Sequence, residues 1–305
     1  MGRDEACWRH IFAPFGIPAV LIADDPDLLS TVRAAYPGWV TNAPVEPQIE
    51  IRLETSLAPS TSVGSSIRVK GSRLSLEGPD FGGHADAQER FGFARVPRRL
   101  VGEPEALAEE ITDTLLLFLL TRCGRTPVHA AGIVFNDKVL VLMGPSGSGK
   151  SSLALAAAER GLSILSDDTV YVQHHPRLQL WGLQRPIHLL PEEAPGQGFA
   201  LRLRGGKRKA VVPLPALAGR GHATGSIIPI LLEPGEQLEL KPIGADVAMA
   251  ALIVLEPGFD LLPKESAAAA DALTAGGAWR LTLARDPGAA IDFLLDRFAD
   301  QLAPG

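Results

Sequence analysis

Cysteine is scarce in this sequence. Cys7 and Cys123 are the only two in 305 residues, far apart and without metal-ligand spacing. They read as two reduced thiols in a cytosolic protein rather than as a disulfide framework. Long hydrophobic runs are missing as well. The most conspicuous one, "LLLFLL" (Leu115 to Leu120), is far short of the roughly 20 residues a spanning helix needs. The start, "MGRDEACWRH", has acids and no apolar core, so no secretory signal is read there. Gly2 is followed by Ala6, where a myristoylation motif asks for Ser or Thr. Excess positive charge is lacking too: the formal net charge is -6, which does not favour a nucleic-acid partner. No internal repeat or low-complexity segment stands out. These absences lead to the expectation of a soluble cytoplasmic protein with no membrane and no nucleic-acid partner.

What is present suits a substantial core, with 46% hydrophobic and 21% charged residues. Residues 1–100 read as a small α+β domain. "PAVLIA" (Pro18 to Ala23) is a short apolar strand. Asp25 caps a helix that stops at Pro37-Gly38. "QIEIRLE" (Gln48 to Glu54) alternates with the period of two of a half-buried strand. "IRVKGSRLSLEG" reads as a hairpin about Gly71-Ser72. A long helix, Glu103 to Gly124, is expected to join this domain to a second one, so that the second domain spans 101–305. Within it, "HAAGIVF" and "KVLVLMG" flank a turn at Asn136-Asp137. Later strands are expected at Ile227 to Leu232, Gln237 to Lys241, Ala250 to Leu255 and Arg280 to Ala284. A last helix is expected from Pro287 to Leu302.

The most specific local signal is "GPSGSGKS", Gly144 to Ser151. It fits G-x-x-x-x-G-K-[ST] at every fixed position, with an apolar strand before it and a helix, "KSSLALAAAERG", after it. Backbone N–H groups of such a loop converge on phosphate oxygens at a helix N-terminus. The nucleotide contacts expected are Gly144, Pro145, Ser146, Gly147, Ser148, Gly149, Lys150, Ser151 and Ser152. Lys150 would meet the β- and γ-phosphates of ATP, and Ser151 would offer its hydroxyl to Mg²⁺.

Asp167 follows Lys150 by only seventeen positions and closes the next apolar strand. That strand should end at the rim of the phosphate loop. One carboxylate there serves the metal. Its neighbour, Asp168, could take a proton from an attacking hydroxyl. Adjacent strand residues face opposite ways, which favours split roles over two metal ligands. A polar turn between strands is the plain alternative. His129, at the head of "HAAGIVF", is by itself either a structural histidine or a site residue.

Together, "VHAAGIVFNDKVLVLMGPSGSGKSSLALAAAERGLSILSDDTVYV" resembles the catalytic core of the HPr serine kinase family. Its members share a His-bearing strand, a hairpin, a phosphate loop, a helix and a strand ending in Asp-Asp. The close likeness covers about 45 residues, with a weaker one through "SIIPILLEP". It implies an α/β fold, a P-loop kinase core related to phosphoenolpyruvate carboxykinase. It implies Lys150 and Ser151 for phosphate and Mg²⁺, Asp167 for the metal and phosphate site, Asp168 as base towards a serine hydroxyl, and His129 beside the pair to tune it. The two Asp roles stay open between the two residues. A homo-oligomer is in keeping with the family, in which hexamers occur.

The likeness has gaps. HPr kinases carry a signature close to E-I-R-G-L-G-x-I, associated with their phosphorolytic reaction. Here "LQLWGLQRPIHLLPEE" keeps Gly182-Leu183, has no Glu before them and has Gln184, Arg185 and Pro186 after them. Arg185 reads either as a phosphate contact or as a structural ion pair. Next, "LRLRGGKRKAVV" places Arg202, Arg204, Lys207, Arg208 and Lys209 around Gly205-Gly206. It reads as a solvated loop, or as a mobile one closing over the triphosphate or holding an acidic peptide. The region before the phosphate loop resembles kinases of ribosomal peptide modification, including those that phosphorylate a C-terminal serine of a lasso-peptide precursor. The expectation is an ATP- and Mg²⁺-dependent peptide or protein serine kinase. An HPr kinase/phosphorylase and a non-catalytic nucleotide-binding regulator are the alternatives.

Overall fold

The structure, a computed structural model, describes residues 7–39, 46–56, 65–183, 185–204, 207–214, 221–254 and 262–299. Gly2, Gln184 and Gly205-Gly206 lie outside the described residues, as do Leu255 and the end of the last expected helix. The chain divides into two compact units, Met1–Arg125 and Thr126–Gly305.

The first unit holds one seven-stranded sheet. Its strands are β1 (Trp8–Phe12), β2 (Ala19–Ala23), β3 (Ile49–Ser56), β4 (Ser66–Lys70), β5 (Arg73–Glu77), β6 (Gly82–Asp86) and β7 (Phe91–Pro97), in the order β1-β2-β3-β7-β6-β5-β4. The pairs β2–β3 and β3–β7 are parallel, and the remaining pairs are antiparallel. Alternation in β3 buries Ile49, Ile51 and Leu53 on one face. Helix α1 (Pro26–Ala35) starts where the Asp25 carboxylate accepts from the Asp27 N–H at 2.8 Å.

The run expected to link the domains belongs instead to this first unit. It forms α2 (Pro104–Leu107), a π-helical turn at Ala108–Thr112 and α3 (Asp113–Arg122). Leu107, Ile111, Leu115, Leu116 and Leu119 are all buried, and α3 packs on β3, β5, β6 and β7. A helix with that much apolar surface covers a sheet rather than crossing solvent as a linker. The boundary therefore falls after Arg125, not near residue 100.

In the second unit the central sheet has six strands: β9 (Ala130–Phe135), β10 (Lys138–Met143), β11 (Ser163–Ser166), β18 (Ser226–Pro234), β19 (Glu239–Ile243) and β20 (Ala278–Leu283). Their order is β11-β9-β10-β18-β20-β19. Alternate residues feed two cores. Ile133, Leu140 and Leu142 pack towards α4 (Lys150–Glu159) and α7 (Pro287–Ala299). Val134, Val139 and Val141 pack towards α5 (Ala245–Val254), α6 (Pro263–Thr274) and a second sheet. That second sheet runs β17-β13-β12-β8, from β8 (Thr126–Val128), β12 (Val170–Gln173), β13 (Gln179–Gly182) and β17 (His222–Ala223). A third sheet, β14-β16-β15, joins β14 (Ile187–Leu189), β15 (Leu201–Arg204) and β16 (Lys207–Val212). The architecture is α/β with mixed sheets.

Two expectations are corrected here. Of the run Ala250 to Leu255, expected as a strand, the described residues 250–254 lie in α5. Its apolar residues suit either period, and burial of Ala248 and Leu252 four apart selects the helix. In the basic stretch 201–212, expected as a loop, the described residues 201–204 and 207–212 form two antiparallel strands, β15 and β16.

Candidate active site

Two strands change sheets side by side, and the candidate site residues lie where they do so. β8 belongs to the second sheet and pairs with β12, with Val128 opposite Val170. β9 belongs to the central sheet and pairs with β11, with Gly132 opposite Ser166. His129 is the single residue between β8 and β9. Asp167, Asp168 and Thr169 are the three between β11 and β12. The chain bends at Asp167-Asp168 to make this switch, so the pair escapes strict strand alternation. β10 and β11 both run antiparallel to β9, so their C-terminal ends share one rim. That rim brings the Asp pair, His129 and the loop after β10 together. β11 sits next to β9 rather than β10.

The loop from Gly144 to Gly149 joins β10 to α4. Its glycines are required by geometry. Gly144, Gly147 and Gly149 have φ of 148°, 86° and 99°. A Cβ on Gly144 would stand 2.6 Å from the Ser148 Oγ and 3.2 Å from the Leu232 carbonyl oxygen. Only glycine relieves both constraints. The Ser148 N–H donates to the Pro145 carbonyl at 3.0 Å and closes the turn. Lys150 opens α4 and is 5% exposed, with its ammonium 2.6 Å from the Gly144 carbonyl oxygen and 3.2 Å from that of Pro145.

Asp167 and Asp168 differ sharply although adjacent. Asp167 is buried, and its carboxylate accepts from the Ser151 hydroxyl and from the His188 backbone N–H. Burial pushes its carboxyl up to about 6; the Ser151 hydrogen bond opposes that rise and the charge of Asp168 adds to it. Asp168 has a side chain 71% exposed, and its Oδ1 lies 3.6 Å from the Nδ1 of the buried His129. Its Oδ2 accepts from the Thr169 hydroxyl at 3.2 Å.

One cavity gathers most of these groups. His129, Ser146, Gly147, Gly149, Lys150, Ser151, Ser152 and Asp168 line it, together with His188, Leu189, Leu190, Glu193, Lys207 and Lys209. Gly144, Pro145 and Ser148 form the loop behind it. Arg185 and Arg208 are not among its lining residues, and the side chain of Arg204 lies outside the described residues. Little in the sequence signals His188 or Glu193 at this site, whereas Lys209 belongs to the basic stretch read as one that could close over a triphosphate. His188 and Lys209 arrive through the third sheet, whose pairing is non-local, and Glu193 through the 3₁₀ turn Pro191–Glu193 that follows β14. The alternation of Lys207 and Lys209 is the one local hint.

The donors suit a nucleotide and its magnesium ion. The Ser148 hydroxyl is buried without a hydrogen-bond partner. Gly144 leaves room that a side chain would fill. A buried carboxylate beside a hydroxyl offers two hard oxygen ligands. Among the described residues no group of three His, Cys, Asp or Glu side chains could hold a metal by itself. Mg²⁺ commonly takes one or two carboxylates and completes its shell with phosphate and water.

No protein-family model matches the chain, and no curated protein does. Among solved structures it is similar to the HPr(Ser) kinase/phosphatase from Coxiella burnetii. The two are 13% identical, the match covers 57% of this chain and 95% of that one, and the TM-score is 0.31. Among the described residues no helix is long and apolar enough to cross a membrane.

Proposed function

We propose that this protein is an ATP- and Mg²⁺-dependent serine kinase acting on a peptide or protein hydroxyl. The acceptor we favour is a ribosomal peptide precursor of the lasso type, modified at its C-terminal serine. The observation that carries the reading is the unequal Asp pair. Asp167 is buried against the Ser151 hydroxyl, while Asp168 stands in the cavity with Lys150. A protein that only bound nucleotide would use the first carboxylate and leave the second without a task.

In this reading the N–H groups of 146–151 and the Lys150 ammonium hold the phosphates. Ser151 and Asp167 would hold Mg²⁺, which when bound spreads and neutralises charge on the transferred group. Asp168 aligns the serine hydroxyl and takes its proton as the oxygen bonds to the γ-phosphorus. The bond to the β–γ bridging oxygen breaks, and ADP leaves with that electron pair. His129 holds the Asp168 carboxylate in place from the buried side.

The test is radiolabelled γ-phosphoryl transfer to a panel of Ser-ended peptides. Asp168→Asn is expected to lose about 100-fold or more of the rate while still binding Mg·ATP. Full transfer by that variant would refute the assignment of the base.

A further inference from the structure

The hairpin of β15 and β16 sets like charges opposite one another. Its register pairs Arg202 with Lys209 and Arg204 with Lys207. Alternation settles the face on which the lysines lie. Ala210 and Val212 belong to the core that includes Leu153 and Ala157 of α4, so Lys207 and Lys209 occupy the opposite face. Val211 shares their face and pairs with His188 on β14. His188, Lys207 and Lys209 accordingly line the same cavity as Asp168. Neither lysine has an ion-pair or hydrogen-bond partner among the described residues.

Two features point to an extended peptide rather than a single phosphate group. Lys207 and Lys209 take successive outward positions on β16, roughly 7 Å apart. That spacing matches side chains two apart in an extended chain. β15 is also the outer strand of its sheet, which leaves one edge of its backbone unpaired among the described residues. Leu201 on that strand is 47% exposed, a high value for leucine. The phosphates, for their part, already have Lys150 and the loop N–H groups.

We propose that this hairpin docks an extended acidic segment of the acceptor peptide. The segment adds as a strand beside β15 and presents Asp or Glu side chains to the cationic face, which delivers the neighbouring serine to Asp168. The proposal rests on the peptide-kinase reading above and gives it a substrate class: acceptors rich in carboxylates beside the serine.

The test is direct binding on the full chain, read by fluorescence anisotropy. The probe is a fluorescein-labelled (Glu-Thr)₄ peptide, with (Lys-Thr)₄ as control. The Glu peptide should bind and the Lys peptide should not. Lys207→Glu with Lys209→Glu should weaken the Glu peptide by roughly tenfold or more and admit the Lys peptide. Lys207→Gln with Lys209→Gln, a milder pair, should weaken the first without admitting the second. A Glu peptide N-methylated at alternate backbone positions should bind less tightly. Lys150→Met should abolish Mg·ATP binding and leave the Glu-peptide affinity unchanged. No binding of the Glu peptide, equal affinity for both peptides, or stronger binding of a thymidine oligonucleotide of equal charge would each overturn the proposal. Failure of the wild type to bind Mg·ATP would instead sink the nucleotide reading, and the peptide result would still stand by itself.

Discussion

The Ser151 hydroxyl donates a hydrogen bond to the buried carboxylate of Asp167. This one contact ties the first turn of α4 to the end of β11. The His188 backbone N–H reaches the same carboxylate and adds the third sheet. Three separate elements thus share a single charged group, which carries a desolvation cost. Two hydrogen bonds offset only part of that cost, and the Mg²⁺ of the proposed function would offset more of it.

That cost is measurable. In the folded chain the Asp167 carboxyl sits at about 6, against an ordinary value of 3.8. The folded state therefore holds this proton more tightly than the unfolded state. Stability from the group is full below about pH 4 and is lost as pH rises to about 6. Above that, ionisation costs on the order of 3 kcal/mol, from 1.36 kcal/mol per tenfold change. Asp167→Asn in EDTA should therefore be more stable than wild type at pH 8 by about this amount. The difference should vanish near pH 4. Urea unfolding at the two pH values checks it. The same variant should lose Mg·ATP binding, so stability and function move in opposite directions.

Asp168→Asn should behave differently. The side chain is 71% exposed, and its one contact distant in sequence is His129 Nδ1 at 3.6 Å, so unfolding free energy should change by less than about 1 kcal/mol. Nucleotide affinity should hold while transfer collapses. A large loss of stability would mean that Asp168 is structural.

The glycines of the loop should separate by space rather than by φ alone. At Gly147, with φ 86°, a side-chain methyl would have nothing within 4 Å, so Gly147→Ala should cost about 1–2 kcal/mol for left-handed backbone. At Gly144 the same methyl meets the Ser148 Oγ at 2.6 Å and the Leu232 carbonyl at 3.2 Å. Gly144→Ala should cost more and weaken Mg·ATP binding more than tenfold, because the loop must shift to admit it. Paired thermal melts and nucleotide titrations distinguish the two.

How much of this was legible in the sequence depends on range. Alternation in β3, the Asp25 cap and the turn at Asn136-Asp137 are local, and each is visible from a few residues. The glycine-rich loop and the Asp pair are visible for the same reason. The run at Ala250 to Leu255 is not, because an apolar stretch rich in alanine satisfies either period until packing on β18 and α6 decides. The neighbourhood of His129 and Asp168 follows from two strands changing sheets together, which no local pattern encodes. Lys209 reaches the site only because β16 pairs with β14. Its charge is plain in the sequence, but its direction depends on the burial of Ala210.

The first unit offers a final test, by a tyrosine remote in sequence from the site. The Tyr36 hydroxyl lies 2.7 Å from the Thr112 hydroxyl and donates to the Asp113 carboxylate at 2.6 Å. Its ring stacks on Trp39, with centroids 4.4 Å apart. These bonds fasten α1 to the π-helical turn and α3, which cover the sheet. Tyr36→Phe keeps the stacking and removes both hydrogen bonds, one of them to a charged acceptor. The first unit should lose about 1–3 kcal/mol. Every residue of the glycine-rich loop and its partners belongs to the second unit, so Mg·ATP affinity at 25 °C should stay within about twofold of wild type. Hydrogen exchange in 104–122 should rise while exchange in 150–159 stays the same. A parallel loss of nucleotide affinity would show that the helical cover of the first unit supports the site energetically, and that the two units do not act independently.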